Sequence, residues 1–230
     1  HRFGLAPESL VVFTADDDAY RTAIDLAGAG VFVAGVVDVR PDPAGALIER
    51  ARELGIPIMP ASCVIGTDGD ARGVLTAVRV RPLDGGAEQV IETDCLAVSG
   101  GWDPLFDLHL HLSGGSRWDT AVMGFVPEGT VPGLRVAGSA AGVFGLHGCR
   151  RDGHSIGLIA AEATGHAGDS EAPEGHDTAE GATADFVVSP GTDPLHAFVD
   201  QHRDVAIAGV ERALGSGIHH VEHLKRYTLV

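Results

Sequence analysis

Apolar and polar positions alternate in several distinct rhythms along this chain. Residues 10–14 (LVVFT) form a short β-branched and aromatic run. Residues 18–29 follow with Tyr20, Ala23, Ile24 and Ala27 at helical spacing, and Gly28 and Gly30 mark the stop. Residues 31–37 are apolar again and end at Asp38. Run, helical period, run predicts a β-α-β unit with a parallel strand pair. Residues 43–54 repeat the helical period, with Pro43 suited to the first turn and Gly55 to the end, and 56–60 (IPIMP) read as a short strand.

The rhythm then changes. Residues 64–66, 73–81 and 89–92 alternate and are separated by TDGD and LDGG, which predicts a small antiparallel meander. A new apolar strand, 94–99, runs into SGGWDP, and DLHLHL at 107–112 alternates like a strand with His109 and His111 on one solvent-facing side. Residues 134–137 read as a short strand that enters a long Ala/Gly/Ile-rich helix through Gly138, Ser139, Ala140, Ala141 and Gly142. Between residues 165 and 190 the period is lost in a Gly/Ala/Asp/Glu/Thr-rich tract, expected to be a solvated linker. Beyond it, Thr192 or Asp193 caps a helical stretch that breaks near Gly215 and Gly217. The expected class is α/β, a nucleotide-binding domain with an inserted Rossmann-like β-α-β domain and an antiparallel flap, then a small helical segment. The expected boundaries are an inserted degenerate domain at 10–93, the carboxy-terminal part of an outer dinucleotide-binding domain at 94–166, a linker at 167–190, and the start of a helical module at 191–230.

Composition narrows the partners. The 230 residues are 44% hydrophobic, enough for one large domain or two small ones. Sixteen Lys and Arg against 32 Asp and Glu give a net charge of −16, which weighs against nucleic acid or an anionic membrane as partner. There is no run of about 18 apolar residues, so no membrane span is expected. The chain starts on HRFGLAPESL without a secretory pattern and stops at KRYTLV in what reads as the middle of an element, so a piece of a longer polypeptide is expected. Cys63, Cys95 and Cys149 form no C-x-x-C pair, which suggests reduced thiols and a cytoplasmic setting.

Several residues are candidates for chemistry. A strand that enters a helix through small residues brings backbone N–H groups against a pyrophosphate, so Gly138, Ser139 and Gly145 are candidate nucleotide-lining positions, although their spacing is not G-x-G-x-x-G. Gly100 and Gly101 either let the backbone approach a cofactor or turn the chain before Pro104. Asp38 stands where a dinucleotide-binding fold places the carboxylate that holds a ribose hydroxyl; an aspartate closing a strand also serves as a plain turn residue. The first turn reads TADDDAY, and Asp16, Asp17 and Asp18 suit a helix dipole but repel phosphate. That unit is either a structural relic or a binder without a pyrophosphate contact. Arg150 and Arg151, one turn into the long helix, either neutralise phosphate or are simply solvated. His219 and His223 of HHVEH share a face if helical, but Glu222 is misplaced for a zinc-hydrolase motif, and no metal is expected. Cys149 lies near a helix start with no second cysteine for a redox disulfide.

AVSGGWDP, GLRVAGSAAGVFGLHGC and VERALGSGIHHVEHLKRYT, in this order, resemble the α subunit of bacterial heterotetrameric sarcosine oxidase. More broadly, the chain is similar to the two-dinucleotide-binding-domain flavoproteins, which include disulfide reductases and α subunits of amine and imino-acid dehydrogenases. The resemblance implies bound NAD in this subunit, because the Gly-Asp of the disulfide reductases is Gly138-Ser139 here. It also implies FAD and FMN elsewhere in the complex, a flavin-containing β subunit and smaller subunits as partners, and no catalytic residue in this stretch. The implied reaction is oxidative demethylation of sarcosine to glycine, formaldehyde and hydrogen peroxide. In related dehydrogenase subunits the last region is a ferredoxin-like module with cluster cysteines; no cysteine follows Cys149 here. Two other readings stay open: the α-like subunit of another amine or imino-acid dehydrogenase, and a non-catalytic nucleotide-binding scaffold.

Overall fold

A computed structural model of the chain describes residues 6–166, 168, 170–177, 193, 195–200 and 203–228. The chain divides into two compact units, His1–Val187 and Val188–Val230. The first is built on a four-stranded parallel sheet of order β3-β2-β1-β7, where β1 is Ser9–Thr14, β2 Phe32–Asp38, β3 Ile58–Met59 and β7 Cys95–Ser99. The helices α1 (Asp18–Gly28) and α2 (Ala46–Glu53) make the crossovers.

The central strand explains why its sequence is an apolar run rather than an alternation: both of its faces are covered. Leu10 and Val12 pack with Tyr20, Ala23, Val36 and Ile48 on the helical side. Val11 packs with Val37, Val78 and Val80 on the other side, where the antiparallel sheet of β4 (Ser62–Gly69), β5 (Leu75–Pro82) and β6 (Gln89–Glu92) supplies the cover. Leu10, Val11 and Val12 are at most 1% exposed. Full burial of such a side chain contributes about 1.5–3 kcal/mol, so these layers dominate the stability of the unit.

β7 was expected to open the next domain. Instead it pairs with β1 in parallel, Leu10 to Thr14 against Cys95 to Ser99, and completes the first sheet. Asp94 secures that start, accepting the N–H of Glu8 at 3.0 Å and of Ser9 at 2.9 Å.

Other expectations change as well. The DLHLHL stretch is not a strand: α3 (Asp107–His111) is a short helix, and His109 is buried rather than solvent-facing. Its Nε2 lies 3.1 Å from the carbonyl oxygens of both Gly115 and Glu128, which ties α3 to the open end of a hairpin formed by β8 (Gly115–Asp119) and β9 (Gly124–Glu128). Gly114 permits this, since a Cβ there would lie 2.2 Å from that ring nitrogen. Residues 134–137 form no strand; Leu134 only bridges Val131, and the chain proceeds through a 3-10 turn, Gly138–Ala141, into α4 (Leu146–Ala163).

The second unit pairs β10 (Phe198–Asp200) with β11 (Val205–Ala206) and continues as α5 (Ile207–Gly215) and α6 (Val221–Thr228). Its opening was expected to be helical and is a short antiparallel pairing. Gly217, at φ +81°, follows the end of α5. His219 precedes α6, so His219 and His223 do not share a helical face; the ring next to His223 is that of His220, 5.3 Å away. The proposed cap Thr192 and most of the expected linker lie outside the described residues.

Candidate functional site

The carboxyl ends of β1, β2 and β7 form the edge where an open parallel sheet places its ligands. Asp16, Asp17 and Asp38 all converge there, and protein groups satisfy each of them. Asp16 Oδ1 accepts the N–H groups of Asp18 (2.8 Å) and Ala19 (3.2 Å), covering the positive start of α1 with the chain's own carboxylate. Its Oδ2 accepts Ser99 Oγ at 2.9 Å.

Asp38 is fully buried. It accepts four hydrogen bonds: from Tyr20 Oη (2.8 Å), and from the Arg40 backbone N–H (2.9 Å), Nε (3.1 Å) and one terminal guanidinium nitrogen (2.8 Å). The other terminal nitrogen of Arg40 donates to Asp17 Oδ1 at 2.6 Å. Burial, and then the adjacent Asp38 anion, push the Tyr20 phenol far above its ordinary pKa. With both oxygens engaged and no exposed surface, Asp38 has no lone pair open to a ribose hydroxyl in this conformation. Asp38 thus ends β2 inside an ionic cluster with Arg40 and Asp17, an arrangement beyond the turn residue or ribose ligand expected from sequence.

Gly100 and Gly101 follow β7 at the same edge. Gly100 is exposed and a Cβ there would meet nothing within 4 Å, while Gly101 adopts φ +100°. Gly100 therefore leaves open space just past the end of β7.

The second candidate group lies at the corner leading into α4. Gly138 is buried at φ +64°, and its N–H donates to Asp152 Oδ2 at 2.6 Å, from the second turn of the helix. Ser139 is exposed. Gly145, at φ +96°, precedes the first helical residue. Ahead of it sits Asp177, whose carboxylate accepts the N–H of His147 (2.8 Å) and of Gly148 (2.5 Å). These two N–H groups, with the charge of Arg151, hold the Asp177 carboxyl below the usual carboxylate range. A Cβ at Gly145 would lie 2.7 Å from the Asp177 carboxyl carbon, so the glycine leaves the space that the carboxylate fills. His147 Nδ1 is buried without a partner beside Gly175.

Gly100, Gly101 and Asp38 are thus gathered at one sheet edge, and Gly138, Ser139 and Gly145 at one helix corner. Among the described residues no hydrogen bond joins the two groups. Arg150 and Arg151 are exposed. Among the described residues no group of three His, Cys, Asp or Glu side chains is placed to hold a metal. Sequence reasoning missed Arg40, Tyr20 and Asp177. A signal existed for the first two, an arginine just past Asp38 and a tyrosine on the inner face of α1; none existed for Asp177, which lies in an aperiodic tract.

Comparisons with known proteins bear on the whole chain. Residues 195–230 match the family model described as the sarcosine oxidase A3 domain. The sarcosine oxidase α subunit of Corynebacterium sp. (strain U-96) is 36% identical over 241 residues, covering 100% of this chain and 25% of that subunit. That of Corynebacterium sp. (strain P-1) is 34% identical over 98% of this chain and 24% of its own length. The Rhizobium meliloti (strain 1021) subunit is 32% identical over 99% of the chain and 22% of its own length. The chain therefore spans about a quarter of the length of these relatives. Among solved structures, thioredoxin reductase of T. acidophilum superposes with a TM-score of 0.50 at 19% identity, over 67% of this chain and 51% of that one, a likeness of α/β fold alone. From end to end this chain is similar to a segment of sarcosine oxidase α subunits, and its residues 195–230 match the sarcosine oxidase A3 domain.

Proposed function

We propose that this chain serves as the dinucleotide-binding segment of an α subunit in a sarcosine oxidase-like complex. That complex oxidises the N-methyl amine of sarcosine, an oxidoreductase reaction at a CH–NH group: sarcosine, oxygen and water give glycine, formaldehyde and hydrogen peroxide. FAD and FMN, held with a flavin-containing β subunit and smaller subunits, supply the redox chemistry, and the assembly works in the cytoplasm. The chain's own part is to bind NAD and to shape a subunit interface. The single observation that carries the reading is the match of the entire chain to sarcosine oxidase α subunits at 32 to 36% identity.

NAD lies against Gly100 and Gly101 on one side and Gly138, Ser139 and Gly145 on the other. The α4 corner fits an anionic group, because a carboxylate, that of Asp177, already rests in the cradle left by Gly145 and bonded by two helix-start amides. A phosphate takes the same donors once Asp177 swings away. The inserted unit keeps Asp38 for its ionic cluster and gives NAD no ribose contact there. This assigns the β-α-β unit of residues 10–93 a structural part, with the return segment 94–166 forming the nucleotide site.

Calorimetric titration of NAD into the native assembly tests the assignment. Gly145→Val places a side chain in the cradle and weakens NAD about tenfold or more, whereas Asp177→Ala removes a competing carboxylate and strengthens it. Unchanged affinity in both variants would move NAD away from this corner.

A further inference from the structure

The hairpin of β8 and β9 presents an exposed aromatic surface. Its cross-strand pair Trp118 and Phe125 packs edge to face, with ring centroids 5.2 Å apart and planes at 79°. Both rings stay well exposed, Trp118 at 39% and Phe125 at 55%. Together with Asp103, Pro104 and Met123 they line an open pocket of about 300 Å³.

Two backbone features build this cavity. Met123 sits at φ +53°, a conformation few non-glycine residues keep, and so turns the hairpin with a thioether side chain where glycine or asparagine is usual. Gly124 has no side chain, and a Cβ there would lie 3.1 Å from Asp103 Oδ1 and 3.4 Å from Pro104 Cδ. The missing Cβ lets the carboxylate lie against the turn, at the wall of the aromatic pair. Asp103 is the one titratable residue lining the cavity, and it makes no hydrogen bond or ion pair with another described residue.

We propose that this socket takes an arginine side chain presented by a partner polypeptide. Aromatic faces and a polarisable thioether around a single carboxylate suit a cation with an apolar stem: the stem packs on the rings and Met123, and the guanidinium meets Asp103. A purely apolar occupant desolvates Asp103 without pairing it, and an anionic one is repelled. The net charge of −16 draws a basic partner towards the chain as a whole. Trp102 and Leu105, which flank Asp103 and Pro104 in sequence, are 63% and 79% exposed. They extend the apolar surface beyond the socket, over an area that a polypeptide covers and a small ion does not.

The test uses the 230-residue chain with Trp102→Phe, in which Trp118 is the one tryptophan. Capped Gly-Arg-Gly, Gly-citrulline-Gly and Gly-norleucine-Gly peptides are titrated in low salt while Trp118 fluorescence is read. The arginine peptide gives a saturable change and binds about fivefold or more tightly than the neutral peptides. Asp103→Asn reduces it to the citrulline level without altering the thermal unfolding midpoint, since Asp103 is exposed. Equal binding of norleucine, undiminished arginine binding in Asp103→Asn, or no saturable change each overturns the proposal.

Discussion

Arg40 shows how much of the ionic cluster at the sheet edge hangs on one side chain. It lies 7% exposed between Asp17 and Asp38, which are 4% and 0% exposed. Two carboxylates this close in a poorly hydrated setting tolerate each other because a guanidinium spans them. Arg40→Met removes the guanidinium that both carboxylates accept from and costs about 3–5 kcal/mol, read as the shift of a urea unfolding curve. Tyr20→Phe removes one hydrogen bond to the Asp38 anion and costs about 2 kcal/mol. The Tyr20 phenol also sets an alkaline limit. Its folded pKa is raised, so its contribution is complete below the unfolded value of 10.0 and is lost as pH rises beyond it. Of the two tyrosines, Tyr20 is expected to ionise only on unfolding, which ultraviolet absorbance during alkaline titration reports. At this scale the sequence was half legible. An acid at the end of β2 was readable from the run before it, but its partners lie on α1 and past the strand, and only the folded chain brings them together.

The elements differ in how firmly they are held. β1 is covered on both faces, whereas α4, with 18 residues, has none that is fully buried. Amide hydrogen exchange is therefore expected to be slow along β1 and much faster along α4, in separate cooperative steps. The Asp177 contact adds a pH dependence at the start of that helix. Its folded pKa is lowered, so the contact is complete above the ordinary value of 3.8 and lost as pH falls through the lower folded value. Protection of the His147 and Gly148 amides should disappear across that acid window; protection that is unchanged there would remove Asp177 as the cap. The first four elements were legible because two apolar runs alternate with two stretches of helical period, and the helical stretches stop at glycines. The alternating DLHLHL misled because a helix of five residues is too short to display its own period, and burial of His109 came with a carbonyl pair supplied by the hairpin that follows it. That hairpin was missed because GSRWD and GFVPE have few β-branched residues and a turn without the usual Asn-Gly signal.

At the scale of the molecule, a parallel sheet with an antiparallel cover was readable from the order of rhythms, but the place of β7 was not. The strand after the flap returns to β1, a choice that chain order alone leaves open. No described helix is long and apolar enough to cross a membrane. Exposed Val98, Trp102, Leu105 and Leu108 follow one another closely in sequence, a concentration of apolar surface that suits a chain working within an assembly. The direct test is to purify the native polypeptide that carries this sequence from its source cells, with whatever accompanies it. Sarcosine-dependent hydrogen peroxide and the bound nucleotides released on denaturation are then measured. The expected result is a flavin-containing hetero-oligomer that forms peroxide with sarcosine and releases NAD together with FAD. A preparation without flavin partners, without sarcosine-dependent peroxide and without NAD would contradict the proposed function.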